Sequence, residues 1–175
     1  MTMNASGIRD IARVLRISPN TVLSLIKRAA SAVAEPCVPK QIKNLEIDEF
    51  WSFVGKKADQ GWTWYGFDRE RKQVVASVNG RGRDANCRAL YEKIKPAKVG
   101  TFHTDEWAAY PKVLAEKKHQ IGKVVALNIE RRNLTFRTRV KRLQRRTICF
   151  SKSEVMHDAV LKLHIHHLNP LHHQI

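Results

Sequence analysis

The sequence predicts a mixed α/β fold: a five-stranded sheet with helices packed against it, preceded by a small all-α unit. Three observations carry this. Short strand-like runs recur beyond position 43. Segments of helical period stand between and after those runs. A stretch from Ala29 to Lys43, with Pro36 and Pro39 three apart, sets them off from two short amphipathic segments at the start. The 175 residues suffice for one substantial core and one small appended unit. The expected organisation is a helical unit over 1–28, a linker over 29–43 and an α/β domain over 44–175.

The elements follow in order. Ile8 to Leu15 and Pro19 to Arg28 read as two helices around a tight turn at Arg16, Ile17 and Ser18. Ser18 suits an N-cap and Pro19 a first helical residue. Asn44 to Val54 alternates as a strand and carries Phe50, Trp51 and Phe53. Trp62 to Asp68 and Gln73 to Asn79 follow as strands, with short connections that suit antiparallel hairpins. Asp84 to Lys95 reads as a helix ended by Pro96, and Val99 to Asp105 as a fourth strand. Trp107 to Lys118 reads as a helix, Gln120 to Ala126 as a fifth strand and Asn128 to Gln144 as a third helix. In that helix Ile129, Phe136, Val140 and Leu143 follow a near-3.5 period. Ser151 with Glu154 three later forms a capping-box pattern, which predicts a last helix from Lys152 to His167.

Charge narrows the function. Lys and Arg number 32 against 16 Asp and Glu, a net charge of +16, and the sequence pI is about 10.2. Such an excess favours polyanionic partners and argues against an acidic-substrate enzyme of ordinary charge. Residues 101–175 carry +8, and 131–146 holds eight bases and no acid. With 43% hydrophobic residues this is a folding chain, not a basic tail. No apolar run approaches the roughly 18 residues of a membrane span, and the start does not read as a signal peptide. Cys37, Cys87 and Cys149 lie far apart, which argues against a disulfide framework or a CxxC zinc site. The expected setting is cytoplasmic and nucleoid-associated, with DNA as partner.

The first two helices have helix-turn-helix spacing, with the second placed to enter a major groove. Ile11, Ala12, Leu15, Ile17, Val22, Leu25 and Ile26 would form the apolar seam. Asn20, Thr21 and Ser24 would read bases, while Lys27 and Arg28 neutralise phosphate. The bland alternative is an ordinary helical hairpin.

Three acids stand out in the α/β part: Asp48 in EIDEFWSF, Asp105 in FHTDEW and Glu130 in NIERRN. Carboxylates repel phosphate, so a DNA-binding chain that presents them needs a cation. Mg²⁺ takes hard oxygen ligands from a few carboxylates, phosphate and water. Two such ions, about 4 Å apart, serve phosphoryl transfer. Glu130, Asn133, Arg137 and Lys141 fall on one face of a continuous helix, so the acid would meet metal while Arg131, Asn133, Arg137, Lys141 and Arg145 contact the DNA. Taken singly, each acid reads equally as a solvated group or a salt-bridge partner.

Several segments together resemble transposases of the insertion-sequence-one family. They are GIRDIARVLRISPNTV (7–22), EIDEFWSFVG (46–55), FDRERKQVVASVNG (67–80), TDEW (104–107), IERRNLTFR (129–137) and RLQRRTICFSKSEVMHD (142–158). The resemblance implies an RNase H-like catalytic domain and an Asp-Asp-Glu triad, matched here by Asp48, Asp105 and Glu130. It also implies Mg²⁺, with Mn²⁺ as substitute, held as two ions. The implied activity is cleavage at element ends followed by transfer of the freed 3′-hydroxyl to target DNA. The partners would be terminal inverted repeats and target DNA, with the chain acting as a homo-oligomer. Asn133, Arg137 and His157 also sit at family-like positions. Members usually carry a Cys-rich zinc ribbon before the helix-turn-helix, and this sequence shows none. Rival readings are a helix-turn-helix repressor, a truncated inactive copy, or a nuclease acting on RNA–DNA hybrids.

Smaller features read blandly. Trp51, Trp62 and Trp64 suit a strand core, while Trp107, beside Asp105, is equally placed to meet DNA. Asp68 reads as a turn carboxylate facing Arg69 or Arg71. The His-rich end from His164 reads as a helix end and tail.

Overall fold

A computed structural model describes residues 1–107, 110–114, 118–122, 126–144 and 148–169, the side chains of 126–129 excepted. The chain runs α1 (Ile8–Leu15), α2 (Pro19–Ala32), β1 (Gln41–Phe53), β2 (Gln60–Asp68), β3 (Gln73–Gly80) and α3 (Arg83–Ile94). It continues with β4 (Lys98–Thr104), a one-turn α4 (Tyr110–Val113), β5 (His119–Ile121), α5 (Ala126–Arg139) and α6 (Glu154–Leu168). The strands form one mixed sheet in the order β3-β2-β1-β4-β5. Strands β1, β2 and β3 pair antiparallel as successive hairpins, while β4 lies parallel to both β1 and β5. This is the mixed α/β architecture that the residue pattern predicts, and it is consistent with an RNase H-like fold. The close approach of β4 to β1 needs a glycine: a Cβ on Gly100 would lie 2.7 Å from the Lys43 carbonyl oxygen.

Both faces of the sheet are covered, as expected where parallel strands lie at the centre. On one face Leu45, Ile47, Trp64 and Val75 pack with Leu90 and Ile94 of α3 and with Tyr110. On the other, Phe50, Tyr65, Phe67 and Val74 meet Phe136 of α5 and Met156, Val160, Leu161 and Ile165 of α6. Side chains alternate along β1, so Asp48 shares the α5/α6 face with Phe50 while Glu49 shares the α3 face with Ile47.

The helix pair at the start does not stand apart. Ile11 and Ala12 of α1 and Val22, Ile26 and Ala30 of α2 belong to the same buried cluster as α5 and α6. Ser18 caps α2 as its sequence suggests, accepting a hydrogen bond from the Thr21 amide at 3.0 Å.

Several boundaries differ from the pattern. Helix α2 continues through Ala32, because alanines at 29, 30 and 32 favour helix and Ala30 is buried against the cluster. The segment from Trp107 to Lys118 holds only the α4 turn among its described residues. Helix α5 ends at Arg139, and Val140 takes an extended conformation before a 3₁₀ turn over Lys141–Leu143. Lys141 therefore leaves the helical face that Glu130, Asn133 and Arg137 share. The capping box does not form: Ser153 is the N-cap of α6 and makes no side-chain cap bond. Ser151 lies outside the helix and bonds to His157 at 2.7 Å.

Candidate active site

The register of the central strands brings two of the three singled-out acids together. Glu46 of β1 lies opposite His103 of β4, so Asp48 falls beside the first residue beyond β4, Asp105. Oxygens of Asp48, Glu49 and Asp105 lie within 4.8 Å of one another. Asp48 is 8% exposed, whereas Asp105 is exposed at the strand end.

Burial pushes the Asp48 carboxyl up to about 7, and the charges of Glu49 and Asp105 add to the rise. Hydrogen bonds from the Glu49 backbone and from Asn133 of α5 oppose it. The Tyr65 hydroxyl donates to the Asn133 carbonyl oxygen at 3.0 Å, and so orients that amide. Burial holds Tyr65 protonated, which keeps it a donor. Asp105 accepts a bond from the Trp107 backbone amide at 3.0 Å.

Glu49 is not among the acids the sequence singles out, since neighbours on a strand face opposite sides. It reaches the group because Asp105, at the strand end, is accessible from both faces of the sheet. Its side chain is 5% exposed and ion-paired with Arg83 of α3. The Tyr110 hydroxyl lies 3.2 Å from its other oxygen. Burial raises the Glu49 carboxyl, and Arg83 pulls it back.

Glu130 is exposed on α5, past its first turn because the helix begins at Ala126, and lies outside the group of three. It stands one helical turn before Asn133, whose amide reaches Asp48. Arg137 is half-buried on the same helix, Arg131 is exposed, and Arg145 lies outside the described residues. On α2, Asn20, Thr21, Ser24, Lys27 and Arg28 are all exposed, with the Thr21 hydroxyl 2.8 Å from that of Ser18. His157 is buried away from the carboxylates, bridging Ser52 of β1 at 3.1 Å and Ser151 at 2.7 Å. Burial holds its imidazole down to about 4, hence neutral. Asp68 is fully buried and pairs with Arg71 at 2.7 Å, the turn role its position suggests. Trp64 is core, while Trp107 is half-buried against Trp64 and Tyr110.

A buried acid beside two further carboxylates is an unfavourable arrangement without a cation. The oxygen donors suit a hard divalent ion. Comparison with known proteins adds an independent line. The family described as IS1 transposase matches residues 42–172. The chain belongs to the IS1 transposase family. Among curated relatives, the insertion element iso-IS1n protein InsB of Shigella dysenteriae is 44% identical over 116 residues, covering 66% of this chain and 88% of that protein. The insertion element IS1 9 protein InsB of Escherichia coli K12 is 35% identical over 165 residues, covering 94% and 92%. Membership makes DNA the partner class and a nuclease or transferase role the activity class. No helix among the described residues is long and apolar enough to cross a membrane.

Proposed function

We propose that the chain cuts phosphodiester bonds at the ends of an insertion element and joins the freed ends to target DNA, with Asp48, Asp105 and Glu130 as the catalytic triad. One observation carries the reading. Asp48 and Asp105 meet where β4 ends beside β1, and Asn133 ties to Asp48 the helix on which Glu130 stands one turn earlier. Bound there, Mg²⁺ or Mn²⁺ ions would supply charge neutralisation at phosphate and a water of lowered pKa.

The protein groups then have distinct tasks. Asn133 and Tyr65 hold the Asp48 carboxylate in one orientation, and the Trp107 amide holds Asp105. In the first reaction water adds to phosphorus as the bond to the 3′-oxygen breaks, leaving a 3′-hydroxyl and a 5′-phosphate. In the second that hydroxyl adds to a target phosphorus, loses its proton, and the target 3′-oxygen leaves. Neither reaction needs a protein nucleophile. Exposed Asn20, Thr21, Ser24, Lys27 and Arg28 on α2 address the terminal repeats, while Arg131 and Arg137 meet backbone phosphate. The proposed working form is a homo-oligomer on paired ends, in the cytoplasm at the nucleoid.

The test is nicking of supercoiled plasmid carrying the element's ends, with Mg²⁺ or Mn²⁺. Wild type is expected to nick, and Glu130→Gln and Asp48→Asn to fall to background while still binding DNA. Cleavage undiminished in Glu130→Gln would remove Glu130 from the triad. DNA binding without nicking by the wild type under either ion would instead support a repressor, which the exposed polar face of α2 also allows.

A further inference from the structure

We propose that Arg83 is a positioning residue of the carboxylate centre, acting through Trp107 on Asp105 and through direct pairing on Glu49. The inference rests on the metal-dependent reading of that site. Arg83 is the first residue of α3, and its side chain reaches back to β1 to pair with Glu49. Its guanidinium lies between two indole rings, 4.5 Å from the centroid of Trp62 and 4.3 Å from that of Trp107. A flat, delocalised cation can use both faces for the rings and its edge for a carboxylate at once; an ammonium cannot.

Trp107 is the hinge of the argument. Its ring is held by Arg83 on one side, and it also packs on Trp64 at 5.1 Å and on Tyr110 at 5.7 Å. Its backbone amide donates to Asp105 Oδ1. Asp105 is exposed and follows the last residue of β4, so ladder pairing does not fix its carboxylate. Fixing the Trp107 ring fixes the amide, and the amide fixes the carboxylate. Pairing with Arg83 also keeps the Glu49 charge from adding in full to those of Asp48 and Asp105. Without it, three acids within 4.8 Å would repel one another in the cation-free protein and shift apart.

Groups that orient metal ligands characteristically change metal affinity by about 10- to 100-fold when removed. The test compares wild type, Arg83→Lys and Arg83→Gln in Mn²⁺ titrations of the DNA-free protein, read by calorimetry and by quenching of tryptophan fluorescence. Thermal melts are recorded alongside. Expected is a rise of about 10- to 100-fold in the Mn²⁺ midpoint of both variants, Arg83→Lys included. Nicking by Arg83→Lys should be slow at low Mg²⁺ and recover at saturating Mn²⁺. A merely structural tie between α3 and the sheet would lower the melting temperature and leave the midpoint unmoved, and that result overturns the proposal. If neither Arg83 variant folds, Trp62→Phe loosens the stack without touching charge or Asp105. It should raise the midpoint by a smaller factor, and an unchanged midpoint overturns the proposal equally. A wild type that binds no Mn²⁺ would sink the reading of the site itself, and the role of Arg83 with it. Binding by wild type and Arg83→Lys alike sinks the role of Arg83 alone.

Discussion

Asp48 is held where its charge is least welcome. It is buried, flanked by Glu49 and Asp105, and its carboxyl titrates near 7 instead of 3.8. A raised carboxyl favours the fold while it is protonated, so this contribution is full below about pH 4 and is lost as pH rises through 7. The loss amounts to about 4 kcal/mol at most in the cation-free protein. His157 and His164 act in the opposite direction. Burial holds each near 4 against an ordinary 6.5, so they favour the fold above 6.5 and cease to as pH falls through 4. Asp48→Asn separates the two effects. The cation-free variant should match wild type in melting temperature near pH 4 and exceed it increasingly up to about pH 8, while its Mn²⁺ binding is lost. Melts across that range check this, and a variant less stable than wild type at pH 8 would refute it. Residues of this kind are legible in a sequence only in part. Asp48 and Asp105 stand out by type and by their places on strands, and the register of β1 and β4 gathers them. Glu49 and Arg83 do not stand out, since nothing in the sequence says that the space at a strand end is open to both faces.

At the scale of elements, period and spacing carried most of the architecture, because strands of period two and the hairpins between them are local features. Sheet order then follows from few choices once β1 to β3 pair in sequence and β4 lies parallel to β1. Boundaries were less legible where tertiary contacts overrule propensity. Ser151 has the sequence of a cap but bonds to buried His157, while Val54 bridges it to the end of β1. Helix α5 shows the gain in reading a face. Phe136 packs on Phe50 and Tyr65, at 5.0 and 5.5 Å between centroids, and this contact seats Asn133 one turn away against Asp48. Asn133 is half-buried and takes no part in the apolar cluster. Asn133→Ala should therefore keep the melting temperature within a few degrees and raise the Mn²⁺ midpoint by about 10-fold. An unchanged midpoint would show that α5 does not orient Asp48.

At the scale of the molecule, the two prolines of the linker suggest two modules, yet the buried cluster runs through both. Two short helices cannot enclose a core alone. Here α6 supplies the missing wall: Val22, Ile26 and Ala30 of α2 share a cluster with Val160, Leu161 and Ile165 of α6. That packing couples the stability of α1 and α2 to the carboxylate-bearing sheet, because Phe136, one turn from Asn133, belongs to the same cluster. We predict a single cooperative thermal transition, with α1 and α2 protected from hydrogen exchange to nearly the same free energy as β1. Ala30→Asp sharpens the test. Ala30 is 5% exposed, so an unpaired carboxylate there should cost about 3 kcal/mol. In a coupled fold that loss lowers the melting temperature of the whole chain. In a chain of independent modules it would melt α1 and α2 alone, leaving the main transition and Mn²⁺ binding as in wild type. Two calorimetric transitions in the wild type, with early exchange confined to α1 and α2, would establish the modular alternative.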